Sequence, residues 1–280
     1  TPNPRKGDLN QKTMKKINLS VIGSALVAVV LFFSFSAAAF AAPPEKQMFY
    51  ELKIYRLKDP AKNAVFDRYL KDAYIPAMHR AGIPAVGVFK PVEADTAYGK
   101  MVYVFVPYKT MEQFDKVLTA LEKDPVYKEA GREFLDAPFN DPPFARYESI
   151  LMKAFAFMPE YRLPSFSTPR SERIYELRTY GSWTEELATK KIHMFNEGGE
   201  IEIFEKIGSN AVFYGQVIIG SERPRLLYMT TYENMQSQKE HWAAFSKHPD
   251  WLSLREKKEY ANTVIKAIPY LLHPTDYSDF

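Results

Sequence analysis

The chain has no cysteine, so no disulfide framework, thiol nucleophile or lipidated cysteine enters any account of it. Its five histidines, His79, His193, His241, His248 and His273, never fall at the His-x-x-x-His or His-Glu-x-x-His spacing that sets two imidazoles on one helix face. No dedicated metal site is therefore expected. A Gly-x-Ser-x-Gly elbow is missing, and no glycine-rich loop follows a strand to cradle a phosphate or dinucleotide. Excess positive charge is missing as well, once the N-terminal stretch is set aside. Of 37 basic and 34 acidic residues, residues 1–41 hold five and one, leaving 32 against 33 and a formal charge of −1. That balance carries no nucleic-acid footprint.

A long apolar run occurs once, from Leu19 to Phe40, without a charge. Met14-Lys15-Lys16 precedes it as a basic start, and Ala39-Phe40-Ala41 closes it with small residues where a signal peptidase reads. The expectation is a secretory leader cleaved near Ala41/Ala42. The mature protein would be exported, periplasmic or extracellular, with no stable membrane span after cleavage. An uncleaved anchor is the alternative, because the run is long enough to cross a bilayer. Residues 1–13, ahead of the first Met, are expected to lie upstream of the translation start.

What the chain does have is repetition. Phe49-Tyr50-Glu51-Leu52-Lys53-Ile54-Tyr55 returns 125 residues later as Ile174-Tyr175-Glu176-Leu177-Arg178-Thr179-Tyr180. Gly82 and Ala85-Val86-Gly87-Val88-Phe89 answer Gly208 and Ala211-Val212-Phe213-Tyr214-Gly215. Met101-Val102-Tyr103-Val104 matches Leu226-Leu227-Tyr228-Met229, and Asp124-Pro125-Val126-Tyr127 matches His248-Pro249-Asp250-Trp251. A period this long is a duplicated domain, not a solenoid. The copies are expected at 48–155 and 173–273, joined by a Pro-rich linker at 156–172 and followed by a short tail.

Both copies show one pattern: a strand, a long amphipathic helix ended by Gly82 or Gly208, two strands, a second helical region and a last strand. The second copy's first helix is expected over about Glu185 to Ile207. The order βαββαβ is a ferredoxin-like unit, here twice, giving an α+β fold. In the first strand Tyr50, Leu52 and Ile54 share one face, while Glu51, Lys53 and Tyr55 share the other. The apolar set is expected beneath the helices and the mixed set against the other copy. Sheet-to-sheet packing then makes an intramolecular pseudo-dimeric α/β barrel.

Tyr-Glu-Leu-Arg-Thr-Tyr at 175–180, Tyr-Glu-Leu-Lys-Ile-Tyr at 50–55 and His-Pro-Asp-Trp at 248–251 resemble the NIPSNAP family, in two tandem copies over residues 48–273. The resemblance implies a dimeric α/β barrel, a superfamily that includes cofactor-free monooxygenases, isomerases and haem-handling enzymes. It transfers no catalytic residue set, and a fold of this kind hosts many reactions.

The candidate site residues come from the repeat. Glu51, Lys53 and Tyr55, with Glu176, Arg178 and Tyr180, could converge across the pseudo-twofold axis as paired carboxylates that orient a ligand or move a proton. The alternative is a satisfied Glu–Arg/Lys network that fixes packing. His193 and His241, beside Trp242, are the imidazoles set on helices of the second copy. Glu51, Glu176 and His193 are thus the candidate catalytic groups. Tyr55, Tyr103, Arg178, Tyr180, Tyr228, His241 and Trp242 are the candidate ligand-binding groups. No cofactor is expected; the same two histidines are the candidate ligands for haem or a metal, with little in the sequence to support either. The 41 Phe, Tyr and Trp residues could line a flat apolar cavity, although most belong to the core.

Three functions compete: binding of a small apolar or aromatic molecule in a barrel pocket, cofactor-independent oxygenase or isomerase chemistry, and a non-catalytic protein-interaction module. Further homo-oligomerisation is compatible with each. An aromatic pocket with an inward acid or histidine would favour the first two. A filled lumen with an exposed apolar patch on the helices would favour the third.

Overall fold

Each copy of the repeat forms a four-stranded antiparallel sheet, and the two sheets close on one another. The computed structural model describes residues 46–280, so the expected leader lies outside the described residues. The first copy supplies β1 (Phe49–Leu57), β2 (Gly87–Pro91), β3 (Met101–Tyr108) and β4 (Phe144–Ala154). The second supplies β5 (Ile174–Gly181), β6 (Asn210–Ile219), β7 (Arg225–Tyr232) and β8 (Lys266–Pro274). Around the closed ring the order is β1-β3-β2-β8-β5-β7-β6-β4. Within each copy this is ferredoxin-like, and the edge strands find partners in the other copy, β2 on β8 and β4 on β6. Closure removes every exposed sheet edge. Each strand faces its counterpart four places around the ring, so the molecule is its own pseudo-dimer.

Helices cover the outside. In the first copy α1 (Asn63–Arg68) continues through a π-helical turn (Tyr69–Tyr74) into α2 (Ile75–Arg80), and α3 (Met111–Lys123), α4 (Pro125–Ala130) and α5 (Arg132–Leu135) follow β3. The second copy has α6 (Glu185–Phe195), α7 (Glu200–Lys206), α8 (Met235–Lys247) and α9 (Pro249–Arg255). Side chains of Thr110, Thr184 and Asn234 cap the N-termini of α3, α6 and α8 by accepting from the backbone three residues on. The helix expected over 185–207 is broken at residues 196–199. Gly199 has φ 90°, and a Cβ on Gly198 would meet the Met194 carbonyl oxygen at 2.5 Å. Only glycine passes there. Among the described residues no helix is long and apolar enough to cross a membrane.

The two faces of the first strands are the reverse of the sequence expectation. Tyr50 and Leu52, with Tyr175 and Leu177, point into the barrel among Phe89, Phe105, Phe213, Met229 and Leu272. Glu51, Lys53 and Tyr55 lie under the helices instead. The reason is space and dryness. The inside of an eight-stranded barrel is just wide enough for side chains to fill, and both sheets must bury a face there. The helix layer, by contrast, offers hydroxyl, amide and indole partners to a buried charge. Phe105 stacks on Phe213 at 4.6 Å, and Tyr50 approaches both rings at 5.2 and 5.4 Å, so the barrel centre is filled.

The tail after β8 folds back along β2. Thr275 N donates to Val88 O, Val88 N to Ser278 Oγ, and Asp279 N to Val86 O. This sets the Phe280 ring, 2% exposed, against Phe105 at 5.6 Å and Tyr161 at 5.7 Å. Strand register also corrects one repeat alignment. Ile54 pairs with Tyr103 and Thr179 with Leu227, so Tyr103 corresponds to Leu227, while Tyr228 corresponds to Val104. A one-residue slip exchanges faces. Tyr103 therefore belongs to the barrel interior and Tyr228 to the helix side.

Candidate functional site

The structure separates the two carboxylates that the sequence placed together. Each stays under its own helices, on strands opposite one another in the ring. In the second copy Glu176 is fully buried and accepts from Arg178 Nε at 2.6 Å, Gln238 Nε2 at 2.8 Å and Trp242 Nε1 at 2.5 Å. Strand β5 aims the carboxylate outward, and successive turns of α8 bring Gln238 and Trp242 onto it. The network continues through Arg178 Nη1 to the Tyr180 hydroxyl at 3.3 Å, and from there to the Tyr228 hydroxyl at 2.9 Å. Burial opposes the Arg178 charge, but Tyr228, Tyr180 and Glu176 outweigh it and hold the guanidinium above its ordinary pKa. Beside it lies a second buried pair, Lys191 Nζ to Glu200 Oε2 at 2.6 Å. Burial pushes the Glu200 carboxyl up, against the pull of Lys191.

The first copy builds a different version. Glu51 accepts from Ser149 Oγ at 2.6 Å and the Tyr108 hydroxyl at 3.1 Å, while Lys53 stands 3.7 Å away and donates to the Tyr74 hydroxyl at 3.2 Å. Tyr74 reaches Lys53 from the π-helical turn. Burial works against the Lys53 ammonium, but Tyr74 and Glu51 prevail and hold it well above the usual lysine range. Tyr55 packs edge-on to Phe66 at 4.8 Å and stacks on Tyr147 at 4.9 Å.

Of the candidates named from sequence, Glu176, Arg178, Tyr180, Tyr228 and Trp242 come together. Glu51 and Tyr55 form a separate group, and Tyr103 lies in the barrel. His193 turns outward on α6, its Nδ1 2.8 Å from the Tyr260 hydroxyl. His241 is engaged locally, its Nδ1 2.7 Å from Ser237 O and its ring against Tyr232. Neither joins the Glu176 network. Among the described residues no group of three or more His, Asp or Glu is placed to hold a metal ion. Sequence reasoning missed Gln238, Tyr108, Ser149 and the Lys191–Glu200 pair. Helical phase links Gln238 to Trp242, but nothing local to the sequence shows what α8 covers.

A different feature opens to solvent. Where β1 ends and β4 begins, a cleft of about 300 Å³ is lined by Ile54, Arg56, Arg146, Tyr147, Glu148 and Ser221. Ile54, Arg56, Arg146 and Glu148 alternate in phase with the barrel interior, so this is the barrel's mouth. Ser221 comes from the β6–β7 connection of the other copy. Tyr103 and Tyr270 face one another behind it, ring centroids 6.0 Å apart. Arg225 closes the wall, donating to Glu148 Oε1 at 2.7 Å. Burial raises the Tyr270 phenol, and the charges of Glu222, Arg225, Glu148 and Arg56 all act on it, which puts these groups in one neighbourhood.

A family profile described as NIPSNAP matches the chain twice, over residues 50–159 and 175–279. None of the curated proteins compared matches it. Among solved structures, it is similar to a candidate monooxygenase from Lactobacillus acidophilus, 10% identical, with a TM-score of 0.52 over 81% of this chain and 94% of that one. A candidate monooxygenase from Fusobacterium nucleatum is 9% identical, with a TM-score of 0.52 over 82% and 93%. A NIPSNAP-like domain protein from Burkholderia xenovorans, itself uncharacterised, is 19% identical and covers 39% of this chain and 91% of its own, with a TM-score of 0.36. At these identities the first two likenesses speak to the fold alone.

Proposed function

The chain belongs to the NIPSNAP family in both of its halves, and from that premise we propose that it binds a small, partly aromatic or apolar molecule at the barrel mouth between the copies. The observation that carries this is the cleft itself, with Ile54 on its wall, the Tyr103–Tyr270 pair behind it and Glu148 turned toward it. Ile54 and Tyr147 give this cleft apolar contact, and Arg56, Arg146, Glu148 and Ser221 surround them with polar groups that would fix a ligand's orientation, at a junction of two units. The Glu176 and Glu51 carboxylates, each engaged by fixed donors, are better suited to structure than to moving protons, Glu176 holding α8 on the sheet and Glu51 tying β1 to β3 and β4. Export completes the proposal, with cleavage before Ala42 as its test by intact mass.

Native mass spectrometry of protein purified gently from its own host, followed by denaturing extraction, tests the binding. A retained small molecule supports the proposal. A clean apo mass, with no thermal shift across a metabolite panel, removes it.

One observation favours a second function, a protein-interaction module. The barrel centre is filled, and an open groove of about 760 Å³ on the first copy's helices has Leu118, Leu121, Pro125, Tyr127 and Leu135 on its wall, the other half of which is charged. Nearby Val126 is 59% exposed and Phe139 96% exposed. Leu135→Asp would then abolish self-association or partner capture and leave ligand retention intact.

A further inference from the structure

We infer that the barrel mouth recognises an organic anion, with Arg56 and Arg146 holding a carboxylate-like group and Ile54 and Tyr147 receiving the apolar body. This rests on the small-molecule function proposed above and adds the ligand's charge and the residues that read it.

Arg56 and Arg146 are direct cross-strand partners in the β1–β4 ladder. Like charges set opposite one another destabilise a sheet. Of the other strand cations, Lys53 is matched with Glu51, Lys90 with Asp67, Arg178 with Glu176, and Arg225 with Glu148 and Glu222, whereas Lys153 and Lys266 have no carboxylate within 4.0 Å among the described residues. Among the described residues no carboxylate lies within 4.0 Å of Arg56 or Arg146, and the Arg146 guanidinium donates only to Ala145 O. Two exposed arginines set opposite one another in the ladder are an unfavourable pair that a bound anion would turn into a favourable one. Planar guanidiniums also match the two oxygens of a carboxylate or sulfonate.

The second copy repeats the arrangement in part. Lys266 faces Gly181 as Arg146 faces Arg56, so a third cation occupies the matching rim position. The acids near this mouth are Glu148, Glu222 and Asp95. Glu148 and Glu222 are committed to Arg225, and Asp95 accepts from Ala97 N within its own turn. They leave the Arg56–Arg146 pair free.

Two local features mark the same spot. The β1–β4 register shifts between Arg56 and Leu57, and such irregularities re-aim side chains at the rims of barrels. Arg225, only 7% exposed, keeps its Nε buried without an acceptor at the cleft wall. A buried donor left unpaired is unfavourable, and structures tolerate it beside functional sites more than elsewhere.

The test compares two probes of similar body. 1-Anilinonaphthalene-8-sulfonate carries the anion and N-phenyl-1-naphthylamine lacks it. Each is titrated by fluorescence into the full-length protein and into Arg56→Gln, Arg146→Gln and the double variant, with melting temperatures recorded. The expected result is that the double variant weakens the sulfonate probe by about tenfold or more, as loss of a charge-assisted pair would, while the neutral probe binds as before. The melting temperature should hold or rise, because a repulsive pair has been removed. Sulfonate binding unchanged in the double variant overturns the anion inference and leaves small-molecule binding standing. Failure of both probes to bind the unmodified protein overturns both.

Discussion

The Arg178 guanidinium sits 3.7 Å from the centroid of the Trp242 ring, and both residues donate to the same carboxylate, Glu176. A strand residue and a helix residue are thereby locked by one cation–π contact and one shared acceptor. A desolvated cation–π pair is worth about 2 kcal/mol. The first copy has only a looser counterpart: Lys53 Nζ lies 5.2 Å from the Tyr74 ring centroid, but Glu51 meets two strand hydroxyls and takes no bond from Tyr74. Duplication preserved the strand motif, and the helix laid over it set a different use in each copy.

Glu176→Gln should therefore cost more stability than Glu51→Gln. The first strands Arg178 and weakens three donated bonds, for a loss of about 2–3 kcal/mol, the range of hydrogen bonds to charged groups. The second weakens two hydroxyl bonds to a charged carboxylate, but its cation stands 3.7 Å away and keeps the Tyr74 hydroxyl, so the loss should be about 1.5 kcal/mol, the low end for hydrogen bonds to charged groups. Urea denaturation of the two variants measures this, and equal losses would mean that the Glu176 network does not anchor α8.

The Lys191–Glu200 pair gives a sharper contrast, since both side chains are buried. Glu200→Leu alone leaves a buried ammonium unpaired and should cost about 3–5 kcal/mol. Lys191→Met with Glu200→Leu should recover most of that, because apolar replacement of a whole buried pair is often neutral. Burial raises the Glu200 pKa in the folded state. Its contribution is thus fullest below the ordinary carboxylate value of about 4.3 and declines as pH rises toward the raised one. Denaturation profiles from pH 4 upward should show this slope in the unmodified protein and not in the double variant.

How far the sequence carried can be read from single residues. The repeat at Tyr50–Tyr55 and Tyr175–Tyr180 was enough for two ferredoxin-like units and their mutual closure, because period-two alternation and turn glycines are local signals. Which face went inside was not local. Tyr50 and Leu52 look equally suited to a helix layer, and only closure of eight strands makes the lumen the drier place. Tyr103 was paired with Tyr228 because the sequence blocks align there, yet the copies differ in spacing between the second and third strands, and register alone reveals the slip. The arginines of the mouth, Arg56 and Arg146, lie 90 residues apart and meet only through the β1–β4 ladder.

Asp124 offers a pH test away from the site. It caps α4 by accepting from Val126 N and Tyr127 N, and it pairs with Arg80 at 2.6 Å. The Tyr127 amide and then Arg80 hold its carboxyl below the ordinary range. A lowered carboxyl contributes stability above the unfolded value of about 3.9 and loses it as pH falls through the folded one. Asp124→Asn keeps a capping side chain and removes the charge. Its acid denaturation should therefore be shallower below pH 4 than that of the unmodified protein, and identical acid limbs would contradict the assignment.

Gly87 and Phe280 should be coupled. A Cβ on Gly87 would fall 2.6 Å from Phe89 Cε2 and 3.1 Å from Phe280 Cδ2, so Gly87→Ala forces one ring to move into a filled barrel. Overpacking of that kind costs about 1–3 kcal/mol. Phe280→Ala removes a buried ring and should cost about 3–5 kcal/mol, as such truncations do. In the double variant the space vacated by Phe280 lets the Phe89 ring shift, so the combined loss should be smaller than the sum of the single losses by about 1 kcal/mol, within the range found for residues in contact. The Phe280→Ala barrel should also gain stability in benzene-saturated buffer, because an emptied apolar cavity binds such a molecule. A strictly additive double variant, or a truncated barrel indifferent to benzene, would show that the Phe280 ring does not fill this end of the barrel in solution.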